Sequence, residues 1–201
     1  MAGFADCRPD GATLERARHG DMAAHEALYG SYGRPVYTLA VRILADPAMA
    51  EEIVQDTCIE VIRHIGSFRG DAAFGGWVKR IATNKCLAYL RSAWHRKAQG
   101  FGAGDDGDEF DWEPVDTLDP ATTVADQEGL ARALAELPPT ARAVVWLYDV
   151  EGYSHHEIAS LMGKTVSFSK SRLARAHEQL RASLGPDYEE VSTCMPRPNS
   201  C

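Results

Sequence analysis

Positive and aromatic side chains are concentrated in one stretch of the chain, residues 67–97. Positive charge binds a phosphate backbone and flat rings stack on unpaired bases, so this composition is typical of a surface for single-stranded nucleic acid. An amphipathic helix with a solvated basic face and a buried aromatic row is the alternative. The cations after Asp71 are Lys79, Arg80, Lys85, Arg91, Arg96 and Lys97, and the interleaved rings are Phe68, Phe74, Trp77, Tyr89 and Trp94.

A second group of cations follows a helix-turn-helix pattern. Ser154 and Glu157 have the spacing of a capping box, which predicts the start of a short helix. Gly163 then predicts a turn before a last helix that begins near Val166. The inward row of that helix is predicted to be Val166, Ser169, Leu173, Ala176 and Leu180. The outward row includes Ser167, Phe168, Lys170, Ser171, Arg172 and Arg175.

Lys and Arg on the outer side of such a helix can reach phosphates or guanine edges in the major groove of duplex DNA. The first helix of the pair braces the second, which enters the groove with its N-terminal half near the bases. An ordinary helical hairpin with a polar exterior is the alternative. Turn, cap and charge placement together favour the DNA-binding interpretation.

An acidic helix precedes the basic stretch. Asp46 is its predicted N-cap, Pro47 lies in its first turn, and the helix runs to about Ile65. Acidic residues around an exposed isoleucine predict either a solvated surface or a docking surface for another protein. The predicted buried stripe is Val54, Cys58, Val61, Ile62 and Ile65. The opposite face carries Glu51, Glu52, Gln55, Asp56, Ile59, Glu60 and Arg63.

The remaining helices must support these surfaces. Residues 1–11 are predicted to be a loose leader, and residues 12–32 have helical spacing with a break near residues 20–21. Pro35 is predicted in the first turn of another helix, and Thr140 is predicted to cap the helix after the Pro138–Pro139 pair. The core residues predicted within the basic stretch are Trp77, Ile81, Cys86, Leu87 and Leu90.

The acidic composition of residues 98–120 divides the chain in two. This segment has eight acidic residues, four glycines and no lysine or arginine, so it cannot bury a core. We therefore predict an all-α fold class, with two small helical domains joined by an acidic flexible linker. The predicted bounds are 12–97 for the first domain, 98–123 for the linker, 124–184 for the second domain and 185–201 for a tail.

The overall composition restricts the function classes. The net charge of −8 argues against nucleic acid as a partner, but the charges are strongly segregated along the chain. The sequence shows neither a signal segment nor an apolar run of membrane-spanning length, so no membrane insertion is expected. It also lacks a nucleophile–base pair, a phosphate loop and a metal motif. We therefore predict no enzymatic activity, no catalytic residues, no metal and no cofactor.

The cysteines are interpreted by their positions. Cys58 and Cys86 lie in helical patterns and are predicted to be small buried apolar residues. Cys194 and Cys201 lie in the tail, where they could form a redox or soft-metal pair. An inert tail is the favoured alternative, because their spacing matches no common metal motif.

Two blocks of the sequence resemble the extracytoplasmic-function (ECF) group of bacterial RNA polymerase sigma factors, within the sigma-70 family. The first block, from about Leu14 to Lys97, resembles sigma region 2 through AEEIVQDT and SFRGDAAFGGWVKRIATN. The second, from about Leu130 to Leu184, resembles sigma region 4 through LPPTARAVVWLYDVEGYSHHEIASLMG and SKSRLARAHEQL. The two blocks cover most of the chain in the family's order and spacing.

The resemblance implies three contacts. Docking on the polymerase would use Glu51, Glu52, Gln55, Asp56 and Ile59. The melted −10 element would be held by Ser67, Phe68, Arg69, Gly70, Asp71, Trp77, Lys79, Arg80, Asn84, Lys85 and Arg91, with the loop at 67–71 taking a flipped base. The duplex −35 element would be read by Ser167, Phe168, Lys170, Ser171, Arg172 and Arg175.

This chain departs from the family pattern near the last helix. Ser169 places a hydroxyl on the inward row, and His155–His156 replaces the usual pair of residues. A zinc role for the two histidines is not supported, because no neighbouring ligands have suitable spacing.

The resemblance predicts a cytoplasmic alternative sigma factor without a cofactor. Its implied partners are core RNA polymerase (the β′ clamp helices and the β flap), promoter DNA and an anti-sigma factor. The alternative is a conventional helix-turn-helix regulator whose N-terminal domain senses a ligand or dimerises. A sensor domain needs a pocket rather than a basic surface for single strands, so the basic stretch favours the sigma factor.

Overall fold

The structure is a computed structural model that describes residues 3–70, 73–98 and 125–184, with the side chains of 93–98 and 125–128 left out. All regular secondary structure within these ranges is helical, which confirms the predicted all-α class. The chain divides into two compact units at the junction of Ala88 and Tyr89, as expected for two small helical domains.

The first five elements in chain order are α1 (Gly11–Arg18), α2 (Met22–Leu44), α3 (Pro47–His64), a 3-10 turn (Ile65–Ser67) and α4 (Phe74–Ala98), and the boundary between the units falls inside α4. The C-terminal part consists of α5 (Ala125–Glu136), α6 (Pro139–Val145), a π-helical segment (Trp146–Val150), α7 (His155–Met162) and α8 (Val166–Leu184). The predicted linker, apart from Ala98, and the tail with Cys194 and Cys201 lie outside the described residues.

The predicted break between the first two helices is confirmed. Gly20 has a φ of 82°, a left-handed conformation that favours glycine and ends α1. Asp21 then begins α2, because its carboxylate accepts the backbone N–H of Ala24 at 3.2 Å. Asp10 caps α1 in the same way through the N–H of Thr13.

Pro35 lies inside α2, so the prediction that it begins a helix is wrong. Proline has no N–H, and the carbonyl of Ser31, four residues earlier, therefore loses its helical donor. The thiol of Cys7 donates to that carbonyl oxygen at 3.1 Å. The hydroxyl of Tyr32 in turn donates to the carbonyl of Cys7. A partner from outside the helix thus compensates for the missing N–H, and α2 continues.

The N-terminal segment is packed against the helices, and the prediction of a loose leader is wrong for its described residues. Cys7 is held against α2 by the two hydrogen bonds just described. The carbonyl of Phe4 lies so close to Gly75 that any Cβ at that position would overlap it. The segment therefore contacts both α2 and the first turn of α4.

Helix α3 begins and ends where its sequence signals predict. The carboxylate of Asp46 accepts the backbone N–H of Met49 at 3.0 Å, and Pro47 occupies the first helical position. The buried stripe differs from the prediction at Ile62, which is 42% exposed. Thr57 is buried instead, because it follows Val54 by three residues and precedes Val61 by four, which places it on the buried side of α3. Val54, Val61 and Ile65 are buried and Cys58 is half-buried.

Helix α4 places one apolar side in the N-terminal core. Cys86 and Leu87 are buried as predicted, whereas Trp77, Ile81 and Leu90 are half-buried. Val78 and Ala82, which were not among the predicted core residues, are fully covered. Burial raises the pKa of the Cys86 thiol to about 12, which fits a small apolar core residue. Burial also raises the pKa of the half-buried Cys58.

Helix α6 begins two residues earlier than predicted. Pro139 is its first residue and Pro138 its N-cap, with no side-chain cap, so the prediction of Thr140 as the cap is wrong. Proline fits the first position of a helix because no intrahelical partner exists there for an N–H.

The turn before α8 is confirmed. The hydroxyl of Ser154 accepts the N–H of Glu157 at 3.3 Å, and the Glu157 carboxylate accepts the N–H of Ser154 at 2.8 Å. Gly163 ends α7 in the left-handed region with a φ of 65°. Helix α8 begins at Val166, as predicted. In the core of the C-terminal domain, the fully buried side chains include Val144, Leu147, Ile158, Ser169 and Ala176.

Candidate nucleic-acid and protein interfaces

The outer face of α3 is acidic and carries two exposed isoleucines. Ile59 is 45% exposed and Ile62 is 42% exposed. Ile59 follows Gln55 by four residues and precedes Ile62 by three, so these side chains share one face of the helix. The exposed polar residues of this face are Glu51, Glu52, Gln55, Asp56 and the single cation Arg63. An apolar centre with an acidic rim is the composition expected of a docking surface.

An aromatic cluster lies beneath the loop that follows α3. The ring centroids of Phe68 and Phe74 are 5.1 Å apart, and Trp77 lies 5.4 Å from each of them. Phe68 is only 9% exposed and Phe74 is 6% exposed. For these two rings the alternative of a buried aromatic row is confirmed. Phe68 supports the loop from inside and, contrary to prediction, its ring does not face outward to stack on a base.

The loop itself is fixed at its start. The guanidinium of Arg18 donates to the carbonyl of Phe68 at 2.7 Å, and the hydroxyl of Ser67 donates to the carbonyl of His64 at 2.7 Å. Arg69 and Gly70 follow and are exposed. Asp71 lies outside the described residues. The start of the loop is thus held by hydrogen bonds, and Ser67, Arg69 and Gly70 are exposed to solvent.

Helix α4 carries an exposed polar row. Arg80, Asn84 and Arg91 are exposed at intervals of four and seven residues, which places them on one face. Lys79, one residue before Arg80, is half-buried. The described part of α4 thus presents a narrow exposed polar row that includes two arginines. The side chains of Trp94, Arg96 and Lys97 are not described.

Lys85 lies between the basic row and the acidic helix. Its ammonium is 3.5 Å from a carboxylate oxygen of Glu60 and 3.9 Å from one of Asp56. Its side chain is only 25% exposed. Lys85, a predicted DNA contact, is thus paired with Asp56, a predicted docking residue. The pair links the two surfaces rather than adding a free cation to the DNA row.

Helix α8 separates into a buried row and an exposed row. Ser169, Leu173, Ala176 and Leu180 are buried, and Val166 is half-buried, which confirms the predicted inward row. Ser167, Lys170, Ser171 and Arg175 are exposed, whereas Phe168 and Arg172 are half-buried. The exposed row is cationic and polar, as required for contacts to a DNA groove.

Phe168 is covered by cations. The guanidinium carbon of Arg172 lies 5.2 Å from its ring centroid, and the ammonium of Lys164 lies 5.8 Å from it. Both distances are within the range of cation–π attraction. The ring therefore helps to orient Arg172, a contact that the sequence analysis did not identify.

Ser169 has a polar partner inside the domain. Its hydroxyl lies 3.0 Å from Nδ1 of His155, the first residue of α7. The His155 ring also stacks on Tyr148 of the π-helical segment, with a centroid distance of 4.4 Å and an interplanar angle of 20°. Burial and the positive charge of Lys170 are the main reasons that the pKa of His155 lies below its ordinary value. The unusual Ser169 and His155 were noticed separately in the sequence, but their pairing was not.

Two further polar contacts hold the C-terminal domain. The carboxylate of Asp149 lies 2.8 Å from Nε2 of His177 on α8. Arg142 is 1% exposed and donates to the carbonyl of Ala135 at 3.0 Å. Burial lowers the pKa of Arg142 to about 10. Neither contact joins residues that a local sequence pattern would relate.

Within the described residues, no cluster of three or more His, Cys, Asp or Glu side chains could hold a metal ion.

Two family models match the two halves of the chain. Sigma-70 region 2 matches residues 28–96, which contain α3 and most of α4. Sigma-70 region 4 matches residues 127–180, which contain α7 and most of α8. The RNA polymerase sigma-H factor of Pseudomonas aeruginosa is 30% identical over 187 residues, covering 90% of this chain and 97% of that protein. The ECF RNA polymerase sigma factor SigM of Mycobacterium tuberculosis is 32% identical over 185 residues, covering 89% and 86%.

The chain belongs to the ECF sigma factors. It is therefore an alternative sigma factor, a protein that directs transcription initiation by RNA polymerase at specific promoters. The alternative of a conventional helix-turn-helix regulator is not favoured, because the relatives span both domains of this sigma factor.

A solved structure supports the fold of this sigma factor. The sigma factor RpoE from Bartonella quintana, solved in complex with the anti-sigma factor NepR, has a TM-score of 0.52 at 23% identity. The match covers 77% of this chain and 92% of that one. Among the described residues of this sigma factor, none of the helices combines the length and the apolar character needed to cross a bilayer.

Proposed function

We propose that this sigma factor uses three separate surfaces to start transcription. The outer face of α3 docks on the β′ clamp helices of core RNA polymerase. The loop after α3 and the exposed row of α4 hold the non-template strand of a melted −10 element. Helix α8 reads the −35 element as duplex DNA, with its domain near the β flap.

The α3 surface suits a protein partner. Ile59 and Ile62 supply an apolar centre, and Glu51, Glu52 and Asp56 supply surrounding negative charge. A partner helix with apolar and basic residues would complement both features. Gln55 lies on the same side as Ile59 and completes the proposed surface.

The −10 surface suits a single strand. Arg80 and Arg91 can contact phosphates, and Asn84 between them can donate to or accept from a base edge. The anchored loop with Arg69 and Gly70 provides the flipped-base site, while Phe68 supports it from beneath. Trp77 is the half-buried ring of the cluster and is proposed as its contact to DNA. Lys85 positions α4 against α3 through its ion pairs.

One observation carries the proposal for the −35 element. Helix α8 follows the turn of a helix-turn-helix and places Lys170, Ser171 and Arg175 outward, opposite a buried row that packs in the domain core. This is the geometry in which a recognition helix enters the major groove. Arg172 lies beside this row, oriented by Phe168.

Arg175 provides a direct test of this surface. We expect Arg175→Ala to weaken initiation by the reconstituted holoenzyme by about 10- to 100-fold on a promoter that depends on its −35 element, if the side chain reads a base. The matched control is Arg181→Ala, because Arg181 is exposed on the same helix but on a different face. Equal defects in the two variants would contradict the proposal, and equal loss on every DNA sequence would assign Arg175 to a phosphate.

The docking surface is tested by charge reversal. Glu51→Lys is expected to lower affinity for core polymerase, measured by competition with another sigma factor, because it places a cation in an acidic rim. Glu51 is preferable to Asp56, whose reversal would also disturb Lys85. The matched control is Glu178→Lys, because Glu178 is an exposed residue of α8. This variant makes the same change in net charge and should leave the affinity for core polymerase unaltered. Unchanged affinity in Glu51→Lys would remove this residue from the docking surface.

We also propose that an anti-sigma factor regulates this protein and that it acts in the cytoplasm, as a non-enzymatic subunit of the polymerase. The support for the partner is the B. quintana RpoE structure, which was solved with an anti-sigma factor and has the same fold. The exposed α3 face is the proposed point of competition between such a factor and core polymerase. Co-purification from the native cell would show whether either partner is bound.

A further inference from the structure

Ser169 is a buried polar residue on a helix whose other inward residues are apolar. It is 0% exposed, and the inward row otherwise consists of Val166, Leu173, Ala176 and Leu180. A buried hydroxyl destabilises a fold when it lacks a partner, so its surroundings must supply one. The partner in this structure is Nδ1 of His155 at 3.0 Å.

His155 connects three elements of the domain. It is the first residue of α7, its ring nitrogen contacts Ser169 in the first turns of α8, and its ring face stacks on Tyr148 of the π-helical segment. The π-helical segment is itself joined to α8 farther along by Asp149 and His177. The position of the start of α8 is therefore determined by directional contacts as well as by apolar packing.

The position of Ser169 on α8 gives this contact its functional importance. Ser169 lies directly between Phe168 and Lys170, and Arg172 follows it by one turn. A helix is rigid over this distance, so a rotation or shift at Ser169 moves all of these outward side chains together. Contacts to base edges depend on the position of donors and acceptors, whereas contacts to phosphates tolerate small shifts.

We infer that His155 is a positioning residue for promoter recognition, which through its contacts with Ser169 and Tyr148 sets the orientation of α8 in the −35 groove. The inference rests on the proposed reading of the −35 element by α8. It assigns a positioning role to a half-buried residue outside the exposed row of α8, and no such role to its exposed neighbour, His156. His155 acts on sequence selectivity more than on overall DNA affinity.

The experiment first selects a −35 element for the wild-type holoenzyme from promoters randomised at that position. Initiation rates are then compared between the selected promoter and one with a scrambled −35 sequence, and their ratio measures selectivity. The variants are His155→Ala, Ser169→Ala, the double variant and His155→Asn. His156→Ala is the matched control, since it removes an exposed histidine next to His155.

We expect Ser169→Ala to lower the selectivity ratio by about fivefold, the size of effect that corresponds to one hydrogen bond. His155→Ala should lower it at least as much, because it also removes the stacking on Tyr148. The double variant should be no worse than His155→Ala alone, because that change already removes the contact with Ser169. His155→Asn should restore much of the ratio, since its amide can reach the position of Nδ1. His156→Ala should have the wild-type ratio. Ser169→Ala leaves no buried hydroxyl without a partner, so it keeps the test valid if His155→Ala folds poorly.

A purely structural role would lower the amount of active protein and reduce initiation equally on both promoters, which leaves the ratio unchanged. An unchanged ratio in Ser169→Ala, measured with a wild-type protein that does select a −35 element, would overturn this inference alone. A wild-type holoenzyme without any −35 preference would overturn the proposed role of α8 as well.

Discussion

At the residue scale, α8 is distinguished by the ring of Phe168, which lies close to two cations. Arg172 and Lys164 both lie within cation–π distance of this ring. An aromatic residue at this position restricts the arginine to orientations over the ring, so fewer orientations must be lost when it binds DNA.

Replacing the ring tests this role. Phe168→Leu is expected to weaken binding of the holoenzyme to −35 duplex by about two- to fivefold, because it removes the cation–π contact while keeping an apolar side chain. Phe168→Tyr keeps an aromatic face and should bind like the wild type. The measurement is the dissociation constant on a selected −35 duplex. Equal affinities of the leucine and tyrosine variants would show that the ring does not orient Arg172.

The second residue-scale prediction concerns pH and His155. Burial and Lys170, together with His156, outweigh the attraction of Asp149 and hold the pKa of His155 below its ordinary value of 6.5. The unfolded chain therefore binds this proton more readily than the folded one, and lowering the pH favours unfolding. The stabilising contribution of neutral His155 is present above pH 6.5 and is lost as the pH falls through the lower pKa of the folded state.

We therefore expect the stability of the C-terminal domain to fall more steeply from pH 7.5 to about pH 5 in the wild type than in His155→Asn. Thermal unfolding of the two proteins across this range measures the difference. If the unfolding temperatures of the two proteins change with pH in the same way, the pKa of His155 is the same in the folded and unfolded states.

At the element scale, the packing of the N-terminal segment explains two features of the helices. Cys7 supplies the donor that Pro35 cannot supply within α2. The carbonyl of Phe4 lies against Gly75 in the first turn of α4. Glycine is required there because the obstructing atom belongs to the backbone and cannot rotate away.

Gly75→Ala is expected to destabilise the N-terminal unit by about 1–3 kcal/mol, because its methyl group would push the segment away. Gly76→Ala is the matched control, since nothing lies within 4 Å of a Cβ at Gly76. Alanine there should be neutral or stabilise by up to about 1 kcal/mol through helix propensity. Chemical denaturation of both variants provides the measurement. Similar stabilities would show that the segment is not held against α4.

Helix boundaries were predictable where one residue and its close neighbours determine them. Asp46 with Pro47 began α3, and Ser154 with Gly163 enclosed α7, because caps and turns act over three or four residues. Pro35 was placed wrongly because its compensating donor comes from Cys7, 28 residues earlier in the sequence. No local pattern reports such a partner.

At the scale of the whole molecule, charge separation is the property most relevant to DNA binding. The formal net charge is −8, and residues 98–120 hold eight acidic residues with no lysine or arginine. The basic rows of α4 and α8 therefore act against a negative background in the free protein. We expect free sigma factor to bind promoter DNA weakly and to bind it well as part of the holoenzyme.

Neutralising this segment tests the effect of charge. Exchanging its Asp and Glu residues for Asn and Gln should increase the affinity of free protein for duplex DNA, measured by titration at low salt. The gain should shrink as salt is raised, because screening weakens all charge effects. Exchanging each Asp for Glu and each Glu for Asp keeps the charge and is the control. A gain that persists at high salt would point to a cause other than charge.

The sequence by itself determined the all-α class, the two helical domains, the family and most helix ends, because periodicity, caps and turns are local and the family blocks are distinctive. Tertiary structure decided which polar and aromatic residues are available at the surface. It buried Phe68 in a cluster, paired Lys85 with Glu60, and joined Ser169 to His155. Each of these outcomes depends on distances between side chains on different elements, and such distances exist only once the chain has folded.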